Sequence, residues 1–270
     1  MIPADTSTIS ADGCRNKVYF ASDAHFGLSL VEDPIVSQKR FCRWLDSIVS
    51  DCCALFLVGD MFDYWFEYSY VVPKGYVRVL AKLAEFTDRG IPVYMFYGNH
   101  DIWMFDYLPK EIGVKIITDN WVGNILGKNF YVAHGDGLGD PSKTFRIMRG
   151  FFRSKVAQTL YRWIHPDLTM PFGMNWAYYN RKRKSKIVDG KVTENETQYL
   201  GEDKEFQIIW SKKYLAQHPD VDFFVFGHRH IELDLPISDS CRVLILGEWI
   251  HSFTYAVFDG KQMSLCRFKD

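Results

Sequence analysis

Five short motifs rich in aspartate and histidine are spread along the chain, and each lies at or just past the end of an apolar run. They are Asp23-Ala24-His25, Gly59-Asp60-Met61-Phe62-Asp63, Gly98-Asn99-His100-Asp101, His134-Gly135-Asp136 and Gly227-His228-Arg229-His230. A strand holds the backbone rigid while its carboxyl end releases side chains into a shared crevice. The motifs are therefore predicted to meet in one shared crevice, although any one alone would be weak evidence.

The apolar runs alternate with helical patterns, as expected of a layered α/β fold with sheet packed on sheet. Strands are predicted at 17–21, 54–58, 91–97, 130–133 and 221–226. Asp33 and Pro34 predict the start of one helix, a second is predicted over 74–89 before Gly90, and a third precedes the strand at 221–226. The tail, at 242–246, 252–258 and 263–268, is predicted to form successive antiparallel strands with Asp259-Gly260 as a hairpin turn.

The length of 270 residues suits one large domain with an insertion. A hydrophobic fraction of 47% excludes a disordered chain. Six cysteines without C-x-x-C spacing, and a start without a secretory apolar segment, predict free thiols in a reducing, cytoplasmic compartment. There is no apolar run of about eighteen residues that would span a membrane. Residues 1–16 are polar and are predicted to be a flexible leader.

Residues 143–191 interrupt this order and are predicted to form a helical cap on a body made of 17–142 and 192–270. They contain twelve Lys and Arg against two acidic residues, a local charge of +10, whereas the whole chain carries −1. His165-Pro166 and Met170-Pro171 predict a turn before a second helix that is aromatic and basic. In the first helix, one predicted apolar face comprises Phe145, Met148, Phe152, Val156, Leu160 and Trp163.

The five motifs offer the ligands of a two-metal site. Divalent ions such as Mn²⁺ accept carboxylate, imidazole and amide oxygen together, and two ions about 3.5 to 4 Å apart clamp the oxygens of a phosphoryl displacement. Asp60 is predicted to bridge the two ions. The predicted ligands of one ion are Asp23, His25 and His230, and those of the other are Asn99, His134 and His228.

A hydroxide held between two such ions attacks phosphorus near neutral pH, so the site needs no side-chain nucleophile. His100 follows a predicted ligand and is expected to stabilise or protonate the leaving oxygen. Asp63, Asp101 and Asp136 are expected to orient nearby imidazoles. The predicted catalytic set is therefore His100, Asn99, Asp101 and Asp63.

In this order, the motifs D-x-H, G-D-x-x-D, G-N-H-D, H-G-D and G-H-x-H resemble the calcineurin-like metallophosphoesterase superfamily over residues 17–255. The resemblance implies an α/β/β/α sandwich of two mixed sheets and a dinuclear centre of the Mn²⁺ type. Tyr64-Trp65 after the second motif, Leu246-Gly247-Glu248-Trp249 and the basic insertion further resemble the UDP-2,3-diacylglucosamine hydrolase family. That family cleaves the pyrophosphate of a lipid A precursor to give UMP and a diacylglucosamine 1-phosphate.

The family resemblance implies a lipid-linked nucleotide sugar as substrate, with an apolar groove for its chains and cations for its pyrophosphate. One departure is His100, where many members of that family carry Arg. The candidate substrate contacts are Trp65, Arg149, Arg153, Asn180, Arg183 and Lys184.

Several alternatives stay open from the sequence. The insertion is also predicted to rest on an anionic membrane surface, on the cytoplasmic face of the inner membrane. Another calcineurin-like phosphoesterase, acting on a nucleotide, a phosphoprotein or nucleic acid, is the nearest alternative, although the near-neutral total charge argues against a polyanion partner. A non-catalytic scaffold of the same fold is a further alternative, which the full ligand set disfavours.

Overall fold

Two six-stranded sheets face each other, with helices on their outer faces. The computed structural model describes residues 7–139, 143–188, 191–194 and 198–270, without the side chains of 143–146, 148, 180, 181, 183–188 and 191–194. A short π-helical turn spans Leu108–Ile112. The described α-helices are α1 (Pro34–Ile48), α2 (Val77–Asp88), α3 (Lys143–Arg153), α4 (Lys155–Arg162), α5 (Pro166–Lys184) and α6 (Phe206–Leu215).

The strands belong to two mixed sheets and one separate hairpin. Sheet I has the order β14-β13-β2-β3-β4-β5, sheet II has the order β1-β6-β7-β10-β12-β11, and β8 pairs with β9. The strands are β1 (Ser7–Ile9), β2 (Lys17–Ala21), β3 (Cys52–Leu57), β4 (Val93–Phe96), β5 (Lys115–Ile117), β6 (Asn120–Ile125), β7 (Lys128–Ala133), β8 (Ser185–Val188), β9 (Lys191–Glu194), β10 (Phe223–Phe226), β11 (Glu232–Pro236), β12 (Arg242–Leu246), β13 (Thr254–Phe258) and β14 (Met263–Arg267).

Three apolar layers hold the sandwich together. Phe20, Phe56 and Phe130 lie fully buried between the two sheets. Trp44 of α1 packs in the layer that covers the outer face of sheet I, and Ile208 of α6 packs against the outer face of sheet II. Because the central strands are covered on both faces, they are continuously apolar rather than alternating. The predicted α/β/β/α sandwich of two mixed sheets is confirmed.

The start of α1 follows its sequence signals. The side chain of Asp33 accepts the backbone N–H of Ile35 at 2.8 Å, which caps the helix, and Pro34 occupies the first helical position. The helix α2 begins three residues later than predicted, at Val77, after the N-cap residue Tyr76. Both helices pack against sheet I and so support the strands that lead into the first three motifs.

Two predictions at the ends of the chain are wrong. Ser7–Ile9 forms an edge strand paired with β6, and Ile9 is buried, so these residues are not part of a flexible leader. The predicted antiparallel succession is wrong for β12, which pairs with β10 in sheet II, whereas β13 and β14 form the predicted hairpin at Asp259-Gly260 in sheet I. Successive segments of similar apolar pattern thus join different sheets, which depends on long-range packing.

The insertion also differs from its predicted form. Its first helical stretch is divided at Ser154, which caps α4 by accepting the N–H of Ala157 at 3.5 Å. The helix α5 continues through Pro171, where a turn was predicted, and the hairpin of β8 and β9 follows it. Leu160 and Trp163 are 65% and 85% exposed, so their apolar face has no partner among the described residues.

Aromatic contacts attach the insertion to the body next to the second motif. The hydroxyl of Tyr161 lies 3.0 Å from that of Tyr64, and donates to the carbonyl oxygen of Thr169 at 2.9 Å. Tyr68 also hydrogen-bonds to Thr169, and Trp103 donates its ring N–H to the carbonyl oxygen of Phe152 at 3.1 Å. None of the described helices is both long enough and apolar enough to cross a bilayer.

Candidate metal centre

The five motifs meet at one edge of the sandwich. The strands β2, β3 and β4 run parallel in sheet I, and β7 and β10 run parallel in sheet II, so their carboxyl ends point to that edge. Backbone hydrogen bonds join the segments. The N–H of Asp23 donates to the carbonyl oxygen of Gly59 at 3.1 Å, and the N–H of Gly227 donates to the carbonyl oxygen of His134 at 3.1 Å. The predicted convergence therefore occurs.

The side chains at this edge form two neighbouring groups with metal-binding chemistry. One group contains Asp23, His25 and His230, and the other contains Asp60, His134 and His228. His230 Nε2 lies 3.2 Å from Asp23 Oδ1, and His134 Nε2 lies 3.4 Å from Asp60 Oδ2. His25 Nε2 lies 3.9 Å from Asp23 Oδ1 and 3.9 Å from Asp60 Oδ2, which places His25 between the two groups.

The backbone of these residues is held in a conformation that side chains disfavour. The φ angle is 55° at Asp23, 44° at His25, 51° at Asp60, 71° at His228 and 50° at His230. Non-glycine residues rarely adopt positive φ, and such strain persists only when the surrounding structure fixes it. Its concentration on five of the predicted ligands indicates a site in which side-chain direction is tightly set.

Glycines beside these residues leave room that a side chain would fill. A Cβ at Gly98 would lie 2.1 Å from Asp60 Oδ1, and one at Gly59 would lie 2.5 Å from His134 Nδ1. At Gly227 a Cβ would lie 2.7 Å from Asp23 Oδ2. Carboxylates and imidazoles gathered in this cradle form a donor set that fits two divalent ions.

Histidine tautomers in the site are set by backbone carbonyl groups. His134 Nδ1 lies 2.8 Å from the carbonyl oxygen of Val58, and His100 Nδ1 lies 2.9 Å from that of Asp63. Because a carbonyl oxygen only accepts, each Nδ1 carries the proton and donates it. Each Nε2 is then the ring nitrogen left for the site, and His134 Nε2 lies 3.4 Å from Asn99 Oδ1 beside Asp60.

Asp63 has the imidazole neighbours that the sequence predicts. Its Oδ1 lies 3.4 Å from His25 Nδ1 and 3.8 Å from His100 Nδ1. The rings of His25 and His100 meet edge to face with centroids 4.9 Å apart. Asp63, His25 and His100 form a third acid–imidazole group at the margin of the two others.

Asp101 has a different role from the predicted one. Its carboxylate binds backbone N–H groups rather than an imidazole: those of Gly98 at 2.9 Å and Met61 at 2.8 Å, and those of Asp60 and Phe62 at 3.3 and 3.2 Å. It therefore joins the second and third motifs. Burial and the nearby Asp60 carboxylate raise the pKa of Asp101 to about 7, although the hydrogen bonds from these N–H groups act to lower it.

Asp136 also has a partner other than an imidazole. Its Oδ2 lies 3.1 Å from Arg149 Nε. Arg149 Nη2 in turn lies 3.3 Å from Asp119 Oδ1. Arg153 pairs with the same Asp119 at 3.6 Å. These contacts place the start of the insertion directly beside the fourth motif, and they place two of the candidate substrate contacts there.

One candidate substrate contact is excluded by its position. Trp65 is fully buried in the core under sheet I, where its ring packs 4.4 Å from that of Phe62 and its N–H donates to Glu67 at 3.1 Å. It belongs to the core together with its neighbours Tyr64 and Phe66, which are also buried. The side chains of the other candidates in α5 lie outside the described residues: Asn180, Arg183 and Lys184.

The charge balance of the clusters is set by their histidines. Burial would raise the pKa of Asp60, but His134, His100 and His25 outweigh burial and hold that pKa well below its usual value. Burial likewise opposes ionisation of Asp23, yet His230 lowers the pKa of Asp23 to about 2. Both carboxylates are therefore anionic near neutral pH and suit cation binding.

Buried polar groups outside the five motifs support them. Glu248 accepts the backbone N–H groups of His251 and Ser252 at 2.8 and 2.7 Å, and the N–H of Trp249 donates to the carbonyl oxygen of Asp23 at 3.1 Å. Gln207 of α6 donates to the carbonyl oxygen of Gly227 at 3.0 Å. The contacts of Trp249 with Asp23 and of Gln207 with Gly227 join positions far apart in the sequence, so only tertiary structure reveals them.

A mixed-sheet sandwich with paired acid–imidazole groups beyond its parallel strands defines a class of protein, the metallophosphoesterases. The chain belongs to the calcineurin-like phosphoesterase family, whose model matches residues 17–232. It is a metal-dependent phosphoester hydrolase.

The relatives extend over nearly the whole chain. A UDP-2,3-diacylglucosamine hydrolase from Porphyromonas gingivalis is 39% identical over 259 residues, which is 95% of this chain and 99% of that protein. A protein of the same name from Shewanella baltica is 23% identical over 86% of this chain and 89% of its own length. A dimetal phosphatase from Danio rerio is a weak structural match, with a TM-score of 0.42 and 11% identity over 90% of this chain and 92% of that chain.

Proposed function

We propose that this chain hydrolyses the pyrophosphate bond of UDP-2,3-diacylglucosamine, giving UMP and 2,3-diacylglucosamine 1-phosphate. The main support is the Porphyromonas gingivalis relative named for that activity, because the 39% identity extends over 95% of this chain. An alignment of that extent includes most of the insertion as well as the catalytic body. It therefore favours a shared substrate and not only a shared fold.

Two divalent ions, for which we propose Mn²⁺, fit the two clusters. Asp23, His25 and His230 would hold one ion, and Asn99, His134 and His228 would hold the other, with Asp60 between them. When bound, such ions lower the pKa of a coordinated water and stabilise charge on phosphoryl oxygens. The protein holds the ligands in place by the strained backbone and the glycine cradle around Asp60.

His100 is proposed to act on the leaving phosphate oxygen. Its Nδ1–H donates to the carbonyl oxygen of Asp63, so Nε2 is the atom that takes up and delivers a proton. The ring is 23% exposed, which gives it access to a substrate, and the Asp63 carboxylate lies 3.8 Å from Nδ1. His100 would thus neutralise charge where many family members carry Arg.

The insertion is proposed to recognise the lipid part of the substrate. Ile147, Phe151 and Phe172 of α3 and α5 are each at least 60% exposed, which provides apolar surface for acyl chains. Arg149 contacts Asp136 of the fourth motif, Arg153 contacts Asp119, and both would offer positive charge to a phosphate. Asn180, Arg183 and Lys184 remain proposed contacts by their place in α5.

We further propose peripheral contact with an anionic membrane on the cytoplasmic face of the inner membrane, where a diacylated substrate resides. Exposed Leu160, Trp163 and Leu168 lie close together in sequence around the end of α4 and the start of α5. Lys155 and Arg162 are in the same segment, and this combination of apolar and basic residues is typical of interfacial helices.

The test is hydrolysis of UDP-2,3-diacylglucosamine by purified protein with Mn²⁺, with UMP measured directly. We expect UMP release by the native protein and none by Asp60→Ala. Release from simple phosphodiesters but not from this substrate would favour a different phosphoesterase of the family. Activity retained by Asp60→Ala would contradict the two-metal site.

A further inference from the structure

Arg229 is buried between two predicted metal ligands, His228 and His230. Its Nε and Nη2 donate to the two carboxylate oxygens of Glu205, each at 2.9 Å, and Nη2 also donates to the carbonyl oxygen of Gln198 at 3.0 Å. The side chain of Arg229 is 8% exposed and that of Glu205 is 0% exposed. A bidentate ion pair of this kind fixes the orientation of both partners.

The loop that carries Arg229 connects the two metal groups. His228 belongs to the group of Asp60 and His134, whereas His230 belongs to the group of Asp23 and His25. The φ angles of 71° at His228 and 50° at His230 are strained, so this loop, residues 227–230, needs support from its surroundings. Within this loop the side chain of Arg229 binds outside the clusters, to Glu205 and Gln198.

Glu205 is itself held by the segment that returns from the insertion to the body. This return segment is residues 198–205. Glu205 Oε1 accepts the backbone N–H of Leu200 at 3.0 Å, and the N–H of Glu205 donates to the carbonyl oxygen of Gly201 at 3.0 Å. Arg229 contacts Gln198 at one end of the segment and Glu205 at the other, which joins the return segment to loop 227–230.

We propose that Arg229 is a positioning residue for the metal centre, and that its pairing with Glu205 sets the placement of His228 and His230. The pair also makes the geometry of the metal ligands depend on the return segment of the insertion. The inference rests on the metal centre of the proposed function but not on the choice of substrate. A failure to release UMP would therefore leave it untouched.

The experiment compares single and double variants. Arg229→Met leaves the buried charge of Glu205 without its partner, so a lower unfolding midpoint is expected whatever the role of the pair. Arg229→Met combined with Glu205→Met removes both charges and keeps apolar bulk. We expect this double variant to regain most of the midpoint of the metal-free protein, yet to bind Mn²⁺ about 10- to 100-fold more weakly by calorimetric titration.

Two further variants make the outcome decisive. Arg229→Lys keeps the charge but not the two-pronged contact, so its Mn²⁺ affinity should lie between those of the native and double variants. Arg242→Met removes another bidentate pair, to Asp234 between β11 and β12, and should leave Mn²⁺ affinity unchanged. The proposal is overturned if the double variant binds Mn²⁺ with native affinity. If the double variant does not fold, native Mn²⁺ affinity in Arg229→Lys overturns it instead.

Discussion

Gly98 lies so close to Asp60 that a single added Cβ would stand 2.1 Å from Asp60 Oδ1 and 2.3 Å from the Asp60 backbone nitrogen. Neither atom can move away freely, because the Asp60 N–H is bound to Asp101 and Oδ1 accepts the N–H of His100 at 2.8 Å. The glycine therefore sets the position of the proposed bridging carboxylate.

From this contact we predict that Gly98→Ala binds Mn²⁺ about 10- to 100-fold more weakly and loses hydrolysis to a similar degree. Metal titration and turnover of a simple phosphodiester measure both effects. Gly150→Ala is the control, since its Cβ would meet nothing within 4 Å in the helix α3. It should keep native activity, and a native-like Gly98→Ala would show that Asp60 tolerates displacement.

Asp101 is predicted to act through the backbone, so replacing it with Asn should affect both stability and metal binding. An Asn amide has one acceptor oxygen, and its NH₂ group would face backbone N–H groups that now bind the second carboxylate oxygen. We expect a loss of about 1 to 3 kcal/mol in the free energy of unfolding. Denaturant titration measures it, with the exposed Asp106→Asn as a control that should keep the native midpoint.

Replacing a tryptophan with alanine should have a large effect on stability at Trp65 and a small one at Trp163. Trp65 is fully buried, so Trp65→Ala should cost about 3 to 5 kcal/mol in unfolding free energy.

Trp163 is 85% exposed, so Trp163→Ala should leave the unfolding midpoint near native but weaken sedimentation with anionic phospholipid vesicles. Unchanged vesicle binding by Trp163→Ala would argue against membrane contact at this site.

Metal removal should destabilise the native protein. Two buried carboxylates, Asp23 and Asp60, lie close together at the site, and a bound cation would offset their repulsion. Mn²⁺ at 100 times its dissociation constant should stabilise the fold by about 2.7 kcal/mol. Thermal unfolding with chelator and with Mn²⁺ measures this shift. Asp60→Ala should show little change in unfolding temperature between chelator and Mn²⁺. A shift in this variant equal to that of the native protein would place the ion elsewhere.

Much of the architecture follows from local patterns. The strand at Lys17–Ala21, the helix start at Asp33 and the strand ends that carry the five motifs were predictable, because apolar runs, caps and ligand residues act over a few neighbouring positions. The convergence of Asp23 and Asp60 was predictable as well, since β2 and β3 are parallel and present their carboxyl ends at one edge, whereas His134 meets them from the other sheet.

Other features depend on partners far along the chain, and no local pattern predicts them. The residues Arg242–Leu246 and Thr254–Phe258 have similar apolar patterns, yet they join opposite sheets because their neighbours in space differ. Trp65 enters the core, Asp101 binds backbone amides, and Arg229 meets Glu205 across 24 positions of sequence. The residue types set the chemistry available to the site, and long-range packing assigned each polar side chain its partner.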